Sequence, residues 1–227
     1  MSFDRIVCLA NSYKHEHRCV AGIHLGTKKW VRLVGRQAHG CLTLKDICLA
    51  GGKEVALLDV FDAELGEKCG SKAHPEDVFA VGSQWRAVRR FDRPADLSFL
   101  TAYLNKGPAL LNGTGDRICV RNFEKIAAEA SLELVQPDDL WWWIREENGK
   151  RRNRALFRLG HTDRVRYDLA VTDPVWLNQL QFLTAGIYSQ SFFFKEKLPR
   201  TLLTISLSEP YEGFHYKLVA GVVNLPA

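Results

Sequence analysis

The sequence LWWWIREENGKRRNRALFRLGHTDRVRYDLAVTDP, residues 140–174, decides the fold of the second half of this chain. It opens with a tryptophan-rich run at 140–145 that favours a β-strand. The Asn148-Gly149 pair is a strong hairpin signal, because a tight turn of this kind needs positive φ angles. Residues 154–159 and 165–171 then alternate polar and apolar side chains, as half-buried strands do. The stretch therefore predicts three consecutive strands.

A helix and two further strands are predicted after this stretch. Thr172 or Asp173 is a suitable N-cap, and Pro174 falls in the first turn of the helix. The runs 202–207 and 217–223 are rich in β-forming residues. The resulting order of strand, strand, strand, helix, strand, strand is that of an OB-fold, a small five-stranded barrel, although unrelated folds share it.

The first half of the chain repeats this pattern loosely. It carries a predicted amphipathic helix at 96–104. Its predicted strands lie at 5–10, 19–24, 29–34, 55–61 and 84–91.

Together the two halves predict a mainly β protein with minor α content, built from two OB-like five-stranded barrels packed together. We place the N-terminal barrel at residues 1–120 and the C-terminal barrel at 121–227. Residues 121–139 are either a short helix that joins the barrels or a part of one of them.

Composition narrows the class of protein further. No stretch of about 18 apolar residues is present and the first residues lack the pattern of a signal peptide, so we expect a cytoplasmic protein without membrane association. The six cysteines form no Cys-x-x-Cys pair, which in a cytosolic protein favours free thiols. The formal net charge is +5, and the 22 residues 145–166 alone carry eight Lys and Arg against three acids.

Two passages are similar to a known family. They are IVCLANSYKHEHRCVAG (6–22), followed by WVRLV (30–34), and LTISLSEPYEGFHYKLVAGVV (203–223), preceded by VTDP (171–174). Together they resemble the bacterial dual-OB-domain-containing protein family. The resemblance implies two OB-like barrels, nucleic-acid binding by analogy, and an association with prokaryotic defence systems.

A mixture of basic and aromatic residues is the first candidate site. OB barrels that bind single strands use Lys and Arg for phosphates and aromatic rings for stacking on bases. The alternative interpretation is that the tryptophans belong to the core and the arginines to a solvated face. The predicted nucleic-acid contacts are Arg18, Lys28, Lys29, Trp30, Arg32, Arg86, Arg89, Arg151, Arg152, Arg154 and Arg158.

Polar residues of the two family passages are the second candidate site. Asn11 and Ser12 belong to the first passage, and Glu209, Tyr216 and Lys217 to the second. They predict a polar cleft between the barrels that recognises a phosphate or a base edge. The alternative is structural, because both passages also suit an ordinary turn or hairpin.

A metal site and a catalytic site receive less support. His15, His17 and Cys19 are metal-ligand residue types at alternate positions, but an exposed polar loop is the favoured interpretation. No nucleophile elbow, Walker loop, Rossmann glycine pattern or His-Glu-x-x-His motif is present, so we expect neither a catalytic centre nor a cofactor.

The leading hypothesis is therefore a non-enzymatic protein that binds single-stranded DNA or RNA. The second hypothesis is a sensor or adaptor subunit that binds a protein partner or a small nucleotide. The third is a metal-dependent nuclease, for which Asp59, Asp62 and Glu64 are the available carboxylates.

Overall fold

The computed structural model describes residues 3–14, 16–121, 130–160, 165–194 and 197–225. It divides into two compact units. The first unit comprises Met1–Ala102 with Glu129–Ser131, and the second comprises Tyr103–Ala128 with Leu132–Ala227.

The first unit is a closed barrel of five strands in the order β1-β2-β3-β5-β4. β3 pairs with β5 in parallel, while the other neighbours are antiparallel. This is the strand order of an OB-fold. A helix, α1 (Pro94–Thr101), follows the barrel. The strands are β1 (Asp4–Lys14), β2 (His17–His24), β3 (Trp30–Val34), β4 (Asp59–Lys68) and β5 (Asp77–Arg90).

Apolar side chains from every strand fill this barrel. Ile6, Val20, Leu33 and Phe61 belong to one buried cluster, and Trp85 stacks on Phe61 with ring centroids 4.7 Å apart. Each barrel strand directs alternate residues inward, which is why the cluster draws on alternating positions of the sequence.

The second unit contains a larger sheet in the order β12-β9-β10-β11-β14-β13-β8-β6, with β7 paired to β14. One helix, α2 (Pro174–Leu180), follows β11. The strands are β6 (Leu104–Asn105), β7 (Arg117–Cys119), β8 (Leu132–Val135), β9 (Asp139–Glu147), β10 (Lys150–Arg158), β11 (Arg166–Val171), β12 (Gly186–Ser189), β13 (Arg200–Tyr211) and β14 (Phe214–Leu225).

The pairing in this sheet repeats the OB pattern of the first unit. β9, β10 and β11 are antiparallel neighbours, β11 is parallel to β14, and β14 is antiparallel to β13. β13 then pairs with β8, which precedes β9 in the chain. In the first unit β1 pairs with both β2 and β4. In the second unit the two corresponding pairings are made by two strands, β9 with β10 and β8 with β13. The break between β8 and β9 falls at Pro137, which has no N–H to donate to a ladder.

The predicted fold class, mainly β with OB-like barrels, is confirmed. The predicted helix after the third strand of the second half is also confirmed. Asp173 caps it, because its Oδ1 accepts hydrogen bonds from Val175 N at 2.9 Å and Trp176 N at 3.2 Å.

The two compact units divide after Ala102, because β6 and β7 pair with β8 and β14 of the second unit. The predicted barrel boundary near residue 120 stays a prediction. Of the uncertain segment 121–139, residues 122–129 lie outside the described residues, and the remainder includes β8 and the start of β9.

One strand of the first unit begins later than the predicted 55–61. β4 starts at Asp59, because a turn precedes it in which the Asp59 carboxylate accepts a hydrogen bond from Ala56 N. Leu58, inside this turn, has a φ of 72°, which a strand does not adopt.

Among the described residues, no helix is long and apolar enough to span a membrane.

Candidate functional site

Three neighbouring strands of the second unit, β9, β10 and β11, direct alternate side chains to opposite sides of the sheet. Trp142 and Ile144 of β9 and Phe157 of β10 are buried on the inner side. Trp142 packs against Trp176 of α2, with ring centroids 4.6 Å apart. The inner side is therefore part of the hydrophobic core.

The outer side of the same strands carries aromatic and basic residues, and we call it the basic-aromatic face. Its cross-strand neighbours include Trp141 beside Leu156 and Trp143 beside Arg154. The face consists of Trp141, Trp143 and Arg145 of β9, Arg152, Arg154, Leu156 and Arg158 of β10, and Arg166 and Asp168 of β11.

Three of the four arginines predicted on β10 lie on this face, namely Arg152, Arg154 and Arg158. Arg151 does not, because alternation turns it to the other side. There its Nη2 donates hydrogen bonds to the carbonyl oxygens of Leu180 and Leu183, both at 2.7 Å. Arg151 therefore holds the end of α2 and the loop that follows.

Ion pairs order several guanidiniums on the basic-aromatic face. Arg154 Nε lies 2.5 Å from Asp168 Oδ1, and Arg158 pairs with Asp139. Arg145 pairs with Glu147 and also lies over the Trp143 ring, 4.2 Å from its centroid. These pairs hold the guanidiniums in place and also neutralise part of their charge.

Arg166 differs from these arginines. It is exposed on β11, and no acid in the described part of the chain forms an ion pair with it. Among the described residues it is therefore the arginine of the face without an acidic partner.

A shallow cavity of about 460 Å³ opens on the basic-aromatic face. Its walls include Trp141, Leu156 and Ile187, while Arg158, Arg166 and Asp168 supply charged groups. Ile187 belongs to β12, which pairs with β9 and so extends the face by one strand. Apolar walls with a few charged groups are typical of a binding site for a small ring system.

Trp141, Trp143, Arg145, Arg166 and Ile187 were not among the residues predicted to form the site. A signal for the first three was present in the sequence, because residues of β9 alternate between the two sides of the sheet, so that Trp141, Trp143 and Arg145 share a side. For Ile187 no such signal exists, because its position depends on the pairing of β12 with β9.

Arg18 and Arg32 of the first unit are buried rather than exposed. Arg18 Nε donates to Glu54 Oε1 at 2.7 Å, and Arg32 Nε donates to Asp77 Oδ1 at 2.6 Å. Burial raises the pKa of the Asp77 carboxyl, and the Arg32 guanidinium opposes that rise. Both arginines thus stabilise carboxylates within the barrel.

Lys28, Lys29 and Trp30 lie at and after the β2–β3 turn, with both lysines exposed. Lys28 Nζ is 4.9 Å from the centroid of the Phe99 ring. Arg89 forms two hydrogen bonds with the Asp96 carboxylate, at 2.6 and 2.7 Å, and so ties β5 to α1.

Arg86 lies on β5 over the Phe3 ring, 4.2 Å from its centroid. Among the predicted residues of the first unit, Lys28, Lys29, Arg86 and Arg89 are exposed. The two lysines precede β3 and the two arginines lie on β5, and β3 pairs with the opening residues of β5, Asp77–Phe79.

Asn11 and Ser12, predicted to line a cleft, are buried in the first unit. Asn11 Nδ2 donates to Glu54 Oε1 at 2.9 Å and to the carbonyl oxygen of Val55 at 2.8 Å. Glu54 therefore accepts from both Asn11 and Arg18, which ties β1 and β2 to the segment that precedes β4.

Glu209, Tyr216 and Lys217 lie in the second unit, on the β13–β14 hairpin. Tyr216 and Glu209 are half-buried, and Lys217 is buried. Lys217 Nζ donates to the carbonyl oxygens of Gly113 and Gly115, at 2.8 and 2.7 Å. Burial lowers the pKa of this ammonium group to about 8. The predicted cleft stays a prediction.

No group of three or more His, Cys, Asp or Glu side chains suited to a metal ion is found among the described residues. His15 lies outside those residues, while His17 and Cys19 lie on β2. Two of the three carboxylates considered for a nuclease are held by arginines, with Asp59 3.0 Å from Arg90 and Asp62 2.8 Å from Arg5. The Arg5 guanidinium lowers the pKa of Asp62.

Comparison with known proteins gives one result. A family model described as a dual OB-containing domain matches residues 4–222. Searches of curated proteins and of solved structures give no match.

Proposed function

We propose that this chain, which belongs to the dual OB-containing domain family, binds single-stranded DNA or RNA on the basic-aromatic face of its second unit. The phosphates contact the guanidiniums and the bases stack on the exposed rings. The proposed function is noncovalent binding, without a covalent step.

One observation carries the proposal: rings and guanidiniums occupy the same side of β9, β10 and β11. OB-folds bind oligonucleotides on the face of their second and third strands, and β10 and β11 hold those places in the second unit. Proteins that bind single strands combine cationic groups with stacking platforms in this way. Arg18, Arg32 and Arg151 are left out of the proposed surface, because their guanidiniums are engaged within their own units.

The charge of the face sets the expected salt dependence. Five guanidiniums stand with three carboxylates, Asp139, Glu147 and Asp168, so between two and five phosphates are neutralised. The slope of log K against log salt concentration is about −0.7 for each phosphate of a single strand, which gives a slope between about −1.4 and −3.5.

Fluorescence anisotropy with labelled strands tests the proposal. Oligothymidylate and oligouridylate of about 20 nucleotides exceed the site size of one OB-fold, and they separate DNA from RNA as the ligand. We expect binding at about 50 mM salt that weakens toward about 200 mM with the slope given above. Absence of binding to both strands at the lower salt concentration would refute the proposal.

A matched pair of charge variants locates the site. Arg166→Gln removes the arginine of the face that has no acidic partner among the described residues, and it is expected to make the slope shallower by about 0.7. Lys45→Gln removes an exposed charge from the first unit and is expected to leave slope and affinity unchanged. Equal effects of the two variants would place binding elsewhere.

A second candidate function, an adaptor that binds a protein partner, is favoured by exposed apolar residues of the second unit. Val175, Phe182 and Phe192 are 65%, 80% and 57% exposed. The double variant Phe182→Ser/Phe192→Ser should lose a cross-linked partner that wild type retains, with strand binding unchanged. A place in a prokaryotic defence system and binding of a small nucleotide stay predictions.

A further inference from the structure

We infer that Trp141 separates two base sites, so that the ligand unit of the second domain is a pair of adjacent nucleotides with one base on each side of the indole. The inference rests on the proposed function and adds to it the length and arrangement of the ligand. Trp141 lines two cavities of the second unit, one of about 460 Å³ and the other of about 330 Å³.

The indole of Trp141 is available for stacking. Its residue is 37% exposed, and no aromatic ring of the described residues packs on it. Trp142, the next residue, is instead buried against Trp176. Trp143 is on the same face as Trp141, but the Arg145 guanidinium covers its ring at 4.2 Å.

The first cavity suits the flat face of a base. Leu156 and Ile187 join Trp141 in its apolar walls, and Asp168 offers a carboxylate that can accept hydrogen bonds from a base edge. Arg158 and Arg166, on the rim of this cavity, place two positive charges where a backbone phosphate would lie.

The second cavity is more polar and suits the edge of a base. Gln136, Ser189, Ser191 and Thr201 contribute amide and hydroxyl groups to its lining. Arg200 also lines it, and its Nε donates to Gln136 Oε1 at 2.7 Å, which orients that amide. Thr201 Oγ1 is engaged by Gln190 and Asn224, and the Ser189 and Ser191 hydroxyls lie 2.8 Å apart. The Gln136 amide N–H groups and the remaining capacity of the two serine hydroxyls are therefore the groups that a base edge would use.

An ion pair connects the two cavities. Asp139 lines the second cavity, Arg158 lines the first, and the two side chains pair with each other. The two cavities are therefore neighbours on the face, with Trp141 common to both. An indole that lines both cavities offers a stacking surface to a base in each of them, which a single mononucleotide cannot use at once.

A length series tests this inference. Mono-, di-, tri- and tetranucleotides of thymidine compete with a labelled oligothymidylate for wild-type protein. We expect the largest gain in affinity at the step from mono- to dinucleotide, about tenfold or more, because that step adds a second stacked base. Later steps should each add less.

Three variants identify the residue responsible. Trp141→Ala should abolish the large step, and Ser191→Trp, which fills the second cavity, should reduce it while mononucleotide binding persists. Trp143→Ala is the matched control, because Trp143 shares the strand and the face but lines neither cavity. It should weaken long strands without altering the step.

The outcomes separate this inference from the proposed function. If long strands bind with the expected salt dependence but Trp141→Ala leaves the step from mono- to dinucleotide intact, the two-base site is refuted and strand binding stands. If no strand binds, both fail. Thermal unfolding of each variant verifies that it folds, since Trp141 lies outside the core.

Discussion

The buried Arg32–Asp77 pair of the first unit tests whether a predicted ligand contact serves the fold instead. The side chains of Arg32 and Asp77 are 4% and 15% exposed, and Arg32 Nη2 also lies 3.9 Å from Glu76 Oε1. Two unit charges about 4 Å apart attract by about 4 kcal/mol at an effective dielectric constant near 20. Removing one partner of a buried pair costs about 3–5 kcal/mol, because the other charge stays buried.

We therefore expect Arg32→Met to lower the free energy of unfolding by about 3–5 kcal/mol. The double variant Arg32→Met/Asp77→Leu removes both charges and should lose much less, so that a double-mutant cycle gives a coupling energy of about 3 kcal/mol. Urea unfolding followed by circular dichroism measures these values. A coupling energy below about 1 kcal/mol would refute the interpretation of Arg32 as a structural partner.

The pH dependence gives an independent check. Burial raises the pKa of the Asp77 carboxyl, and in Arg32→Met no guanidinium opposes that rise. An acid whose folded-state pKa is raised destabilises the fold above that pKa, and the destabilisation is relieved as the pH falls. The gap between wild type and Arg32→Met should therefore narrow from pH 7 toward about pH 4. Strand affinity of the double variant should equal that of wild type.

Three further predictions concern buried groups. The folded-state pKa of Lys217 is about 8, whereas the lysine of the unfolded chain stays protonated to about pH 10.4. Between about pH 8 and 10 the stability of wild type should therefore rise by about 2 kcal/mol relative to Lys217→Met. Urea titrations at several pH values would measure this rise. Asp173→Ala should lower the free energy of unfolding by about 2–4 kcal/mol, because the carboxylate accepts hydrogen bonds from the backbone N–H groups of Val175, Trp176 and Val222. Asp173→Asn keeps one carbonyl oxygen and should lower it less in the same assay. Gly22→Ala should prevent folding of the first barrel, because a Cβ at this position would lie 1.8 Å from the carbonyl oxygen of Val7. Circular dichroism of the purified variant measures this, and an unchanged strand signal would contradict the prediction.

The parts of the fold that depend on local pattern were predictable. The Asn148-Gly149 turn and the alternation of β10 and β11 depend only on residues that are neighbours in the sequence, and both strands form as predicted. The start of β4 was not predictable in the same way. It depends on a side-chain hydrogen bond from Ala56 N to Asp59 and on a positive φ at Leu58, neither of which hydrophobic pattern reveals.

The candidate site shows the same limit. Strand alternation assigns Arg152, Arg154 and Arg158 to one side of the sheet, and it turns Arg151 away. Burial of Arg18 and Arg32 could not be inferred, because their partners Glu54 and Asp77 are 36 and 45 residues distant in sequence. Only tertiary pairing brings such charges together, so a count of local positive charges overestimates what reaches the surface.

The pairing of β12 with β9 has a consequence for anyone who would trim this chain to a minimal barrel. Residues between α2 and β13 resemble a dispensable insertion, but β12 covers the backbone edge of β9. Deleting it would expose unpaired N–H and C=O groups beside two tryptophans, a combination that promotes association between sheets. It would also remove Ile187 and Ser189 from the cavities beside Trp141. Solubility and ligand capture would then decline together, from a single deletion.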